Sequence, residues 1–94
     1  MAKKVKSVFE DDIENVCYLC GAYGATDPHH IFGGSVRDTC DRHGLIVHLC
    51  RKCHRALHDH NIGEQFLHEL GQQYYEEHIG TREQFIQEFI RSYL

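Results

Sequence analysis

The sequence predicts an α+β fold in which a small zinc-stabilised ββα finger is followed by a C-terminal helical hairpin. Two C-x-x-C pairs can supply the four thiolates of one structural zinc site. Residues 45–49 form an apolar, β-branched run that is typical of a strand. The last third of the chain carries two amphipathic helical patterns. With 94 residues the chain is expected to form a single domain, whose core is small enough that a bound metal is a common supplement.

Local signals predict the elements of the first two thirds of the chain. Residues 1–8 are expected to be a flexible basic tail, and because no apolar run follows it, neither a signal peptide nor a membrane-spanning helix is expected. The zinc-binding core is predicted at residues 15–60. Within it, residues 30–32 are a short strand candidate, and residues 33–44 lack periodicity and are predicted to be a loop. Residues 51–60 lack Gly and Pro and are predicted to be helical.

Residues 61–94 are predicted to form a helical hairpin packed on the ββα unit. Gly80 is a natural end for the first helix, and Thr81 with Gln84 makes a capping box for the second. The apolar face of the first helix consists of Phe66, Leu67, Leu70, Tyr74 and Ile79. The apolar face of the second helix consists of Phe85, Ile86, Phe89, Ile90, Tyr93 and Leu94. Both faces are expected to be core.

The cysteines favour metal binding over disulfides. Their number is odd, at five, and two C-x-x-C pairs suit thiolate ligands in a reducing cytoplasm, where the protein is expected to be. A redox dithiol would need only one pair, in a βαβ context that the sequence lacks. The predicted ligands of the structural zinc are Cys17, Cys20, Cys50 and Cys53. Cys40 is predicted to be a free thiol in a loop.

Four histidines are spaced to form a second, open metal site. His54 and His58 are four residues apart, so on a helix they project from one face. His29 or His30, on the neighbouring strand, can supply a third imidazole, and a local bend at this doublet would let one ring bind metal while the other stays free. Three protein ligands with an exchangeable water are the pattern of a catalytic metal site. Ordinary side-chain roles are expected for the others, of which His60 is the best substitute ligand: His43, His48, His60, His68 and His78.

The distribution of charge is more informative than the net charge of −4. Residues 28–58 carry five basic residues against two acidic ones, whereas residues 61–94 carry two against six. A basic segment of this kind suits a phosphate-contacting surface, although it also arises by chance on small proteins. The candidate phosphate contacts are Arg37, Arg51, Lys52 and Arg55.

Two runs of the chain resemble a known family. HHIFGG at residues 29–34 and GLIVHLCRKCH at residues 44–54 resemble the HNH endonuclease superfamily and its ββα-metal finger, a treble-clef-like fold. The HHIFGG run and the Tyr93-Leu94 ending are more narrowly similar to small phage HNH proteins, including the nuclease domain of a phage-encoded RecA-dependent nuclease. The resemblance covers residues 15–60 well and the C-terminal helices loosely, and it implies a bacterial or phage-encoded protein.

By position, the resemblance implies that His30 is the general base. The positions of the family's catalytic-metal ligands are occupied by His29, His54 and His58. The asparagine with which the family often orients the base is replaced by Leu45. A backbone carbonyl or a polar loop residue such as Asp41 is then expected to orient His30, and the sequence leaves this choice open.

The expected activity is metal-dependent hydrolysis of DNA phosphodiester bonds by an HNH endonuclease, with a nick as the default product because one finger cuts one strand. The expected cofactors are structural Zn2+ and a catalytic divalent ion, for which Zn2+, Mg2+, Mn2+, Ni2+ and Co2+ are the candidates. DNA is the expected partner, and the acidic net charge favours its delivery by a recombination or phage protein. The alternative is a non-catalytic zinc module that binds nucleic acid or protein, which has no need of the His29-His30 doublet.

Overall fold

Two strands and four helices make up the described part of the chain, residues 6–94 of a computed structural model. In chain order they are β1 (Thr26–His30), α1 (Arg37–His43), β2 (Ile46–Cys50), α2 (Arg51–His60), α3 (Glu64–His78) and α4 (Arg82–Phe89). A 3-10 turn at Gly34–Val36 leads into α1. The predicted α+β class is confirmed. Over the same residues 6–94, no helix has both the length and the apolar character needed to cross a membrane.

The two strands form an antiparallel sheet with His29 opposite Val47 and His30 opposite Ile46. The predicted strand at residues 45–49 is confirmed with a shift of one residue. The predicted strand at residues 30–32 is wrong, because β1 begins at Thr26 and ends at His30. The TDPHH segment of β1 has little intrinsic strand preference, and its extended form depends on pairing with the buried strand β2.

The predicted loop at residues 33–44 is wrong, because most of it is the helix α1. The thiol of Cys40 is fully buried and donates a hydrogen bond to the carbonyl of Phe32 at 3.0 Å, so the helix is fixed by tertiary contact. Cys40 is therefore free, as predicted, but lies in a helix and not in a loop. The helix ends at Gly44, whose φ of 68° is left-handed and whose Cβ, if present, would lie 2.7 Å from Val8.

The predicted flexible tail at residues 1–8 is wrong for its last residues. The hydroxyl of Ser7 donates to the carbonyl of Ile46 at 2.6 Å, and the N–H of Val8 donates to the carbonyl of Gly44 at 2.9 Å. The carboxylate of Asp12 accepts from the backbone N–H of His48 at 2.9 Å. These bonds tie the N-terminal segment to β2. The part of the predicted tail at residues 1–5 lies outside the described residues.

The helical hairpin forms as predicted at its turn, where Thr81 and Gln84 make a reciprocal capping box. The predicted inward face of α3 is partly wrong, because Phe66 is 55% and Ile79 38% exposed. The buried face of α3 consists of Leu67, Gly71, Gln72 and Tyr75. The helix is rotated in this way because Gly71 packs directly on the residues that follow β1. A Cβ at position 71 would lie 2.9 Å from both Ile31 and Phe32.

The second helix of the hairpin is shorter than its apolar pattern suggested. It ends at Phe89, and Ile90 takes a left-handed φ of 81°. Ile90 is therefore 70% exposed, and the prediction that its side chain is core is wrong. The chain beyond it is held by the buried amide of Gln72, which accepts from the N–H of Tyr93 at 2.6 Å and donates to Ser92 at 2.9 Å.

Phe32 connects the hairpin to the sheet. Its ring packs against the rings of Phe85, Phe89 and Tyr93, with centroid distances of 5.3, 4.8 and 5.2 Å. Phe32 follows the His29-His30 doublet by two residues, so the aromatic core fixes the end of β1 from which those histidines project. The hairpin therefore supports the candidate site as well as the core.

Candidate metal centres

The four cysteines of the two C-x-x-C pairs converge on one point. Their sulfur atoms all lie within 4.8 Å of one another, and Cys20 Sγ lies 3.8 Å from Cys50 Sγ. A tetrahedral ion with zinc–sulfur bonds of about 2.3 Å has ligand sulfurs about 3.8 Å apart. The cluster of Cys17, Cys20, Cys50 and Cys53 could therefore hold a structural metal such as zinc. The cluster joins the turn at residues 17–20 to the junction of β2 and α2.

The protonation of the cysteines also suits a metal site. Burial acts to raise the pKa of Cys17, but hydrogen bonds from the backbone at Cys50, Cys20 and Leu19 outweigh it and lower that pKa to about 6. Burial raises the pKa of Cys53, and hydrogen bonds with the neighbouring cysteines raise it further. The Cys17 thiolate thus favours the protonated form of Cys53, and a divalent ion would displace that proton on binding.

Three histidines form a second cluster. The ligand nitrogens of His29, His54 and His58 lie within 4.8 Å of one another, and the Nε2 atoms of His54 and His58 are 3.0 Å apart. The two helical rings meet because they are one turn apart on α2, and the ring of His29 faces them from β1 with a centroid distance of 5.2 Å to His54. The structure thus brings His29, and not His30, into the cluster.

Burial keeps His29 neutral. The residue is 8% exposed, and its pKa is lowered to about 4, mainly by this burial and in addition by the positive charges that His54 and His58 can carry. A neutral imidazole has a lone pair free for a metal ion, whereas an imidazolium has none. At neutral pH His29 is therefore in the form that can bind metal.

His30 lies outside this cluster and has a carboxylate partner. Its Nε2 atom is 2.7 Å from Oδ1 of Asp41, which projects from α1. Both histidines of the doublet belong to β1, so strand alternation alone separates their rings and the predicted bend is not needed. Leu45 is fully buried, and of the groups that the sequence left open, Asp41 is the side chain bonded to His30.

A cleft of about 500 Å³ contains both kinds of histidine. Its lining includes the three-histidine cluster, His30, and Arg37 from α1. Arg51, Lys52 and Arg55 do not line it. They lie with His60 along a second cavity on the outer face of α2. The predicted phosphate contacts are therefore divided between two surfaces, and His60 is not near the three-histidine cluster.

Three residues of the cleft region were not predicted from the sequence. Asp27 lies with a carboxylate oxygen 3.7 Å from Nδ1 of His54, and its place two residues before His29 on one strand face could have indicated this. Glu64 and His68 line the cleft from α3. No sequence signal identifies them, because their position depends on how α3 packs against β1.

Comparison with known proteins finds no family model, no curated protein and no solved structure that matches the chain. The function is therefore inferred from the two metal-ligand clusters, the His30–Asp41 pair and the cleft that these histidines share with Arg37.

Proposed function

We propose that the chain is a metal-dependent endonuclease of the HNH type that hydrolyses a phosphodiester bond of DNA and leaves a nick. The observation that carries this proposal is the arrangement of two adjacent histidines in one cleft. His29 belongs to a cluster of three imidazoles, while His30 is bonded to a carboxylate and keeps its other ring nitrogen free. A metal site beside a positioned base is what hydrolysis of a phosphodiester requires.

The three-histidine cluster is the proposed holder of the catalytic ion. When bound there, a divalent ion would stabilise the negative charge that develops on the phosphate and on the departing oxygen. The chain's own contribution is to hold three imidazoles with their ligand nitrogens within 4.8 Å of one another. Imidazole ligands favour zinc, nickel and cobalt over magnesium, which prefers oxygen ligands, so these three ions are the better candidates.

His30 is the proposed general base. Because an ionised carboxylate only accepts hydrogen bonds, Asp41 selects the form of His30 in which Nε2 carries the hydrogen and Nδ1 has a lone pair. Nδ1 then takes a proton from the water that attacks phosphorus. The negative charge of Asp41 stabilises the imidazolium that this proton transfer creates.

The basic residues are proposed to bind the DNA backbone. Arg37 lines the cleft and is suited to the scissile phosphate or its neighbour. Arg51, Lys52 and Arg55, on the outer face of α2, would hold phosphates farther along the duplex. Contacts of this kind give affinity without reading sequence. The net charge of −4 makes such affinity modest and is consistent with delivery of DNA by a partner protein.

The proposal is tested by plasmid nicking with zinc, nickel, cobalt, manganese and magnesium. Wild type should convert supercoiled plasmid to the open-circular form, and His30→Ala should be slower by about 10²–10⁴-fold, the usual contribution of a general base. His60→Ala is the matched control, because it removes an exposed histidine of α2 outside the cleft. Absence of nicking by wild type with every metal would contradict the proposal.

The second candidate is a non-catalytic zinc module that binds nucleic acid. It is favoured by one observation, the separation of the basic outer face of α2 from the histidine cleft. A module of this kind needs the cysteine cluster and that face only. It would bind DNA equally well with or without His29 and His30, and would never nick it.

A further inference from the structure

A further cavity, distinct from the one along α2, adjoins the histidine cleft on the side of the C-terminal end of the chain. Its volume is about 590 Å³, and it shares Asn61, Glu64 and His68 with the cleft. Its far side is formed by Arg91 and Tyr93. The two cavities therefore adjoin at these shared residues. We call the C-terminal cavity, which is also lined by Gln65, Ser92 and Leu94, the tail groove.

The tail groove carries one basic residue, and that residue is held in place. The guanidinium of Arg91 lies over the ring of Tyr93 at 5.1 Å from its centroid. Tyr93 in turn packs on His68 with a centroid distance of 4.3 Å. His68 lines both cavities, so the stack of Arg91 on Tyr93 and of Tyr93 on His68 begins at the boundary with the cleft.

The support beneath Arg91 is rigid. The backbone N–H of Tyr93 donates to the buried amide of Gln72 at 2.6 Å, and His68 stacks on Phe32 with an angle of 14° between the rings. A guanidinium that stacks on an aromatic face keeps its N–H groups free at the edge, in a fork that matches a phosphate. The stack on Tyr93 reduces the side-chain freedom that Arg91 has to lose on binding, which favours affinity.

We propose that the tail groove carries the DNA strand away from the catalytic cleft, with Arg91 binding a backbone phosphate that flanks the scissile one. This inference deepens the proposed nuclease function and rests on it. Glu64 contributes a side-chain carboxylate to the tail groove, and this carboxylate faces Nε2 of His68 at 3.7 Å. Its charge repels a phosphate from the middle of the groove and so favours the Arg91 end.

The test measures binding of a short fluorescent DNA duplex by anisotropy at several salt concentrations, in a His30→Ala background that prevents cleavage. Adding Arg91→Ala should weaken binding by about tenfold and lower the slope of log affinity against log salt by about 0.9, the value for one lost phosphate contact. Arg91→Lys should keep the slope and part of the affinity, because it keeps the charge but loses the fork.

Arg82→Ala is the matched control. This arginine is exposed, lies on the same hairpin and pairs with Glu76 at 3.0 Å, outside the groove. It should bind DNA like the parent protein. Equal affinity of parent and Arg91→Ala would overturn the inference and leave the nuclease proposal intact. Equal losses of DNA affinity for Arg91→Ala and Arg82→Ala would overturn the inference as well, since loss of any positive charge from the hairpin would then weaken binding to the same extent. No DNA binding by the parent would overturn both proposals.

Discussion

His29 and His30 are neighbours in sequence and differ in almost every physical property. His29 is buried, has a pKa lowered by that burial to about 4, and belongs to the cluster with His54 and His58. His30 is half-buried and bonded to Asp41. The difference arises because successive side chains of a strand project from opposite faces, so the two rings have different neighbours although both line the cleft. Substitutions at the two positions should therefore fail in different ways.

Metal rescue should separate a lost ligand from a lost base. His58→Ala removes one of three imidazoles, so it should lower metal occupancy and nicking, and excess metal should restore part of the rate by mass action. His30→Ala should bind metal like wild type and gain nothing from excess metal, because a missing base cannot be replaced by titration. Nicking rates across a metal titration make the comparison.

The same titration assigns the roles within the doublet. His29→Ala should behave like His58→Ala, with weakened metal binding. If His30→Ala nicks as fast as wild type while His29→Ala loses activity at every metal concentration, the roles proposed for the two histidines are exchanged.

Asp41 should act on catalysis through His30 alone. Asp41→Ala should lower kcat by about ten- to hundredfold, the usual cost of losing a supporting hydrogen bond, and leave KM for DNA nearly unchanged. Asp41→Asn keeps an acceptor oxygen without the charge and should recover part of kcat. Asp38→Ala, in the first turn of α1, is the control for loss of an acidic residue from this helix. A rise in KM with unchanged kcat would contradict the role.

At the scale of elements, the prediction from sequence succeeded where a local signal sufficed. Helix α2 has the predicted bounds because residues 51–60 lack breakers, and the capping box at Thr81 forms because its two bonds join residues three apart. Helix α1 was missed because RDTCDRH has no apolar period and buries only Cys40. Its signals were weaker ones: Gly44 just past its end, with Arg42 and His43 in the last turn.

The aromatic core should make the second hairpin helix sensitive to truncation. Phe89 is 2% exposed and packs on Phe32 and Phe85, both with centroid distances of 4.8 Å. Phe89→Ala should lower the free energy of unfolding by about 3–5 kcal/mol. Ile90→Ala, at the exposed next position, should change it by less than about 0.5 kcal/mol. Thermal melting of both variants makes the test, and equal melting temperatures would mean that α4 is not packed on the core.

Acid should weaken the contact that joins α1 to the hairpin. Burial acts to raise the pKa of Glu88, but hydrogen bonds from Tyr75 and His43 outweigh it and hold the pKa below its ordinary value. A lowered pKa in the folded state contributes stability above the unfolded-state pKa of about 4.3, and this contribution is lost as pH falls through the folded-state value.

Melting temperatures of wild type and Glu88→Gln, compared from about pH 7 to about pH 3, isolate this contribution. The wild type should be more stable at neutral pH, and the difference should shrink in acid. The comparison is confined to pH values at which both proteins keep their tightly bound zinc. A difference that is constant over this range would show that the Glu88 carboxylate has no such linkage.

For the molecule as a whole, the sequence could identify groups that cluster through short-range spacing but not those that meet by packing. The C-x-x-C pairs and the spacing of His54 and His58 predicted which ligands gather, because strand and helix geometry bring them together. The wall of the cleft depends on the rotation of α3, which Gly71 sets by its close approach to the sheet. The places of His68 in the cleft and of Arg91 in the tail groove were therefore not predictable.

The two metal-ligand clusters are coupled through one helix. Cys50 caps the start of α2, Cys53 lies in its first turn, and His54 follows at once. Purified protein is expected to hold one tightly bound zinc per chain at the cysteines and a second, weaker ion at the histidines. Because the binding energy of a structural zinc is also folding energy, loss of the first ion should disorder α2 and the second cluster with it.

Cys50→Ser tests this coupling. It should lose the tight zinc, lose the fold by circular dichroism, and no longer bind the second ion. Cys40→Ser is the matched control, because it also replaces a thiol but one buried against the carbonyl of Phe32, away from the cluster. It should keep one tight zinc per chain by mass spectrometry, with a modest loss of stability.

His58→Ala, which alters the histidine cluster, should lose the weak ion and keep both the zinc and the fold. A metal-free Cys50→Ser protein that melts like wild type would rule out the structural site, since the fold would then depend on its aromatic core alone.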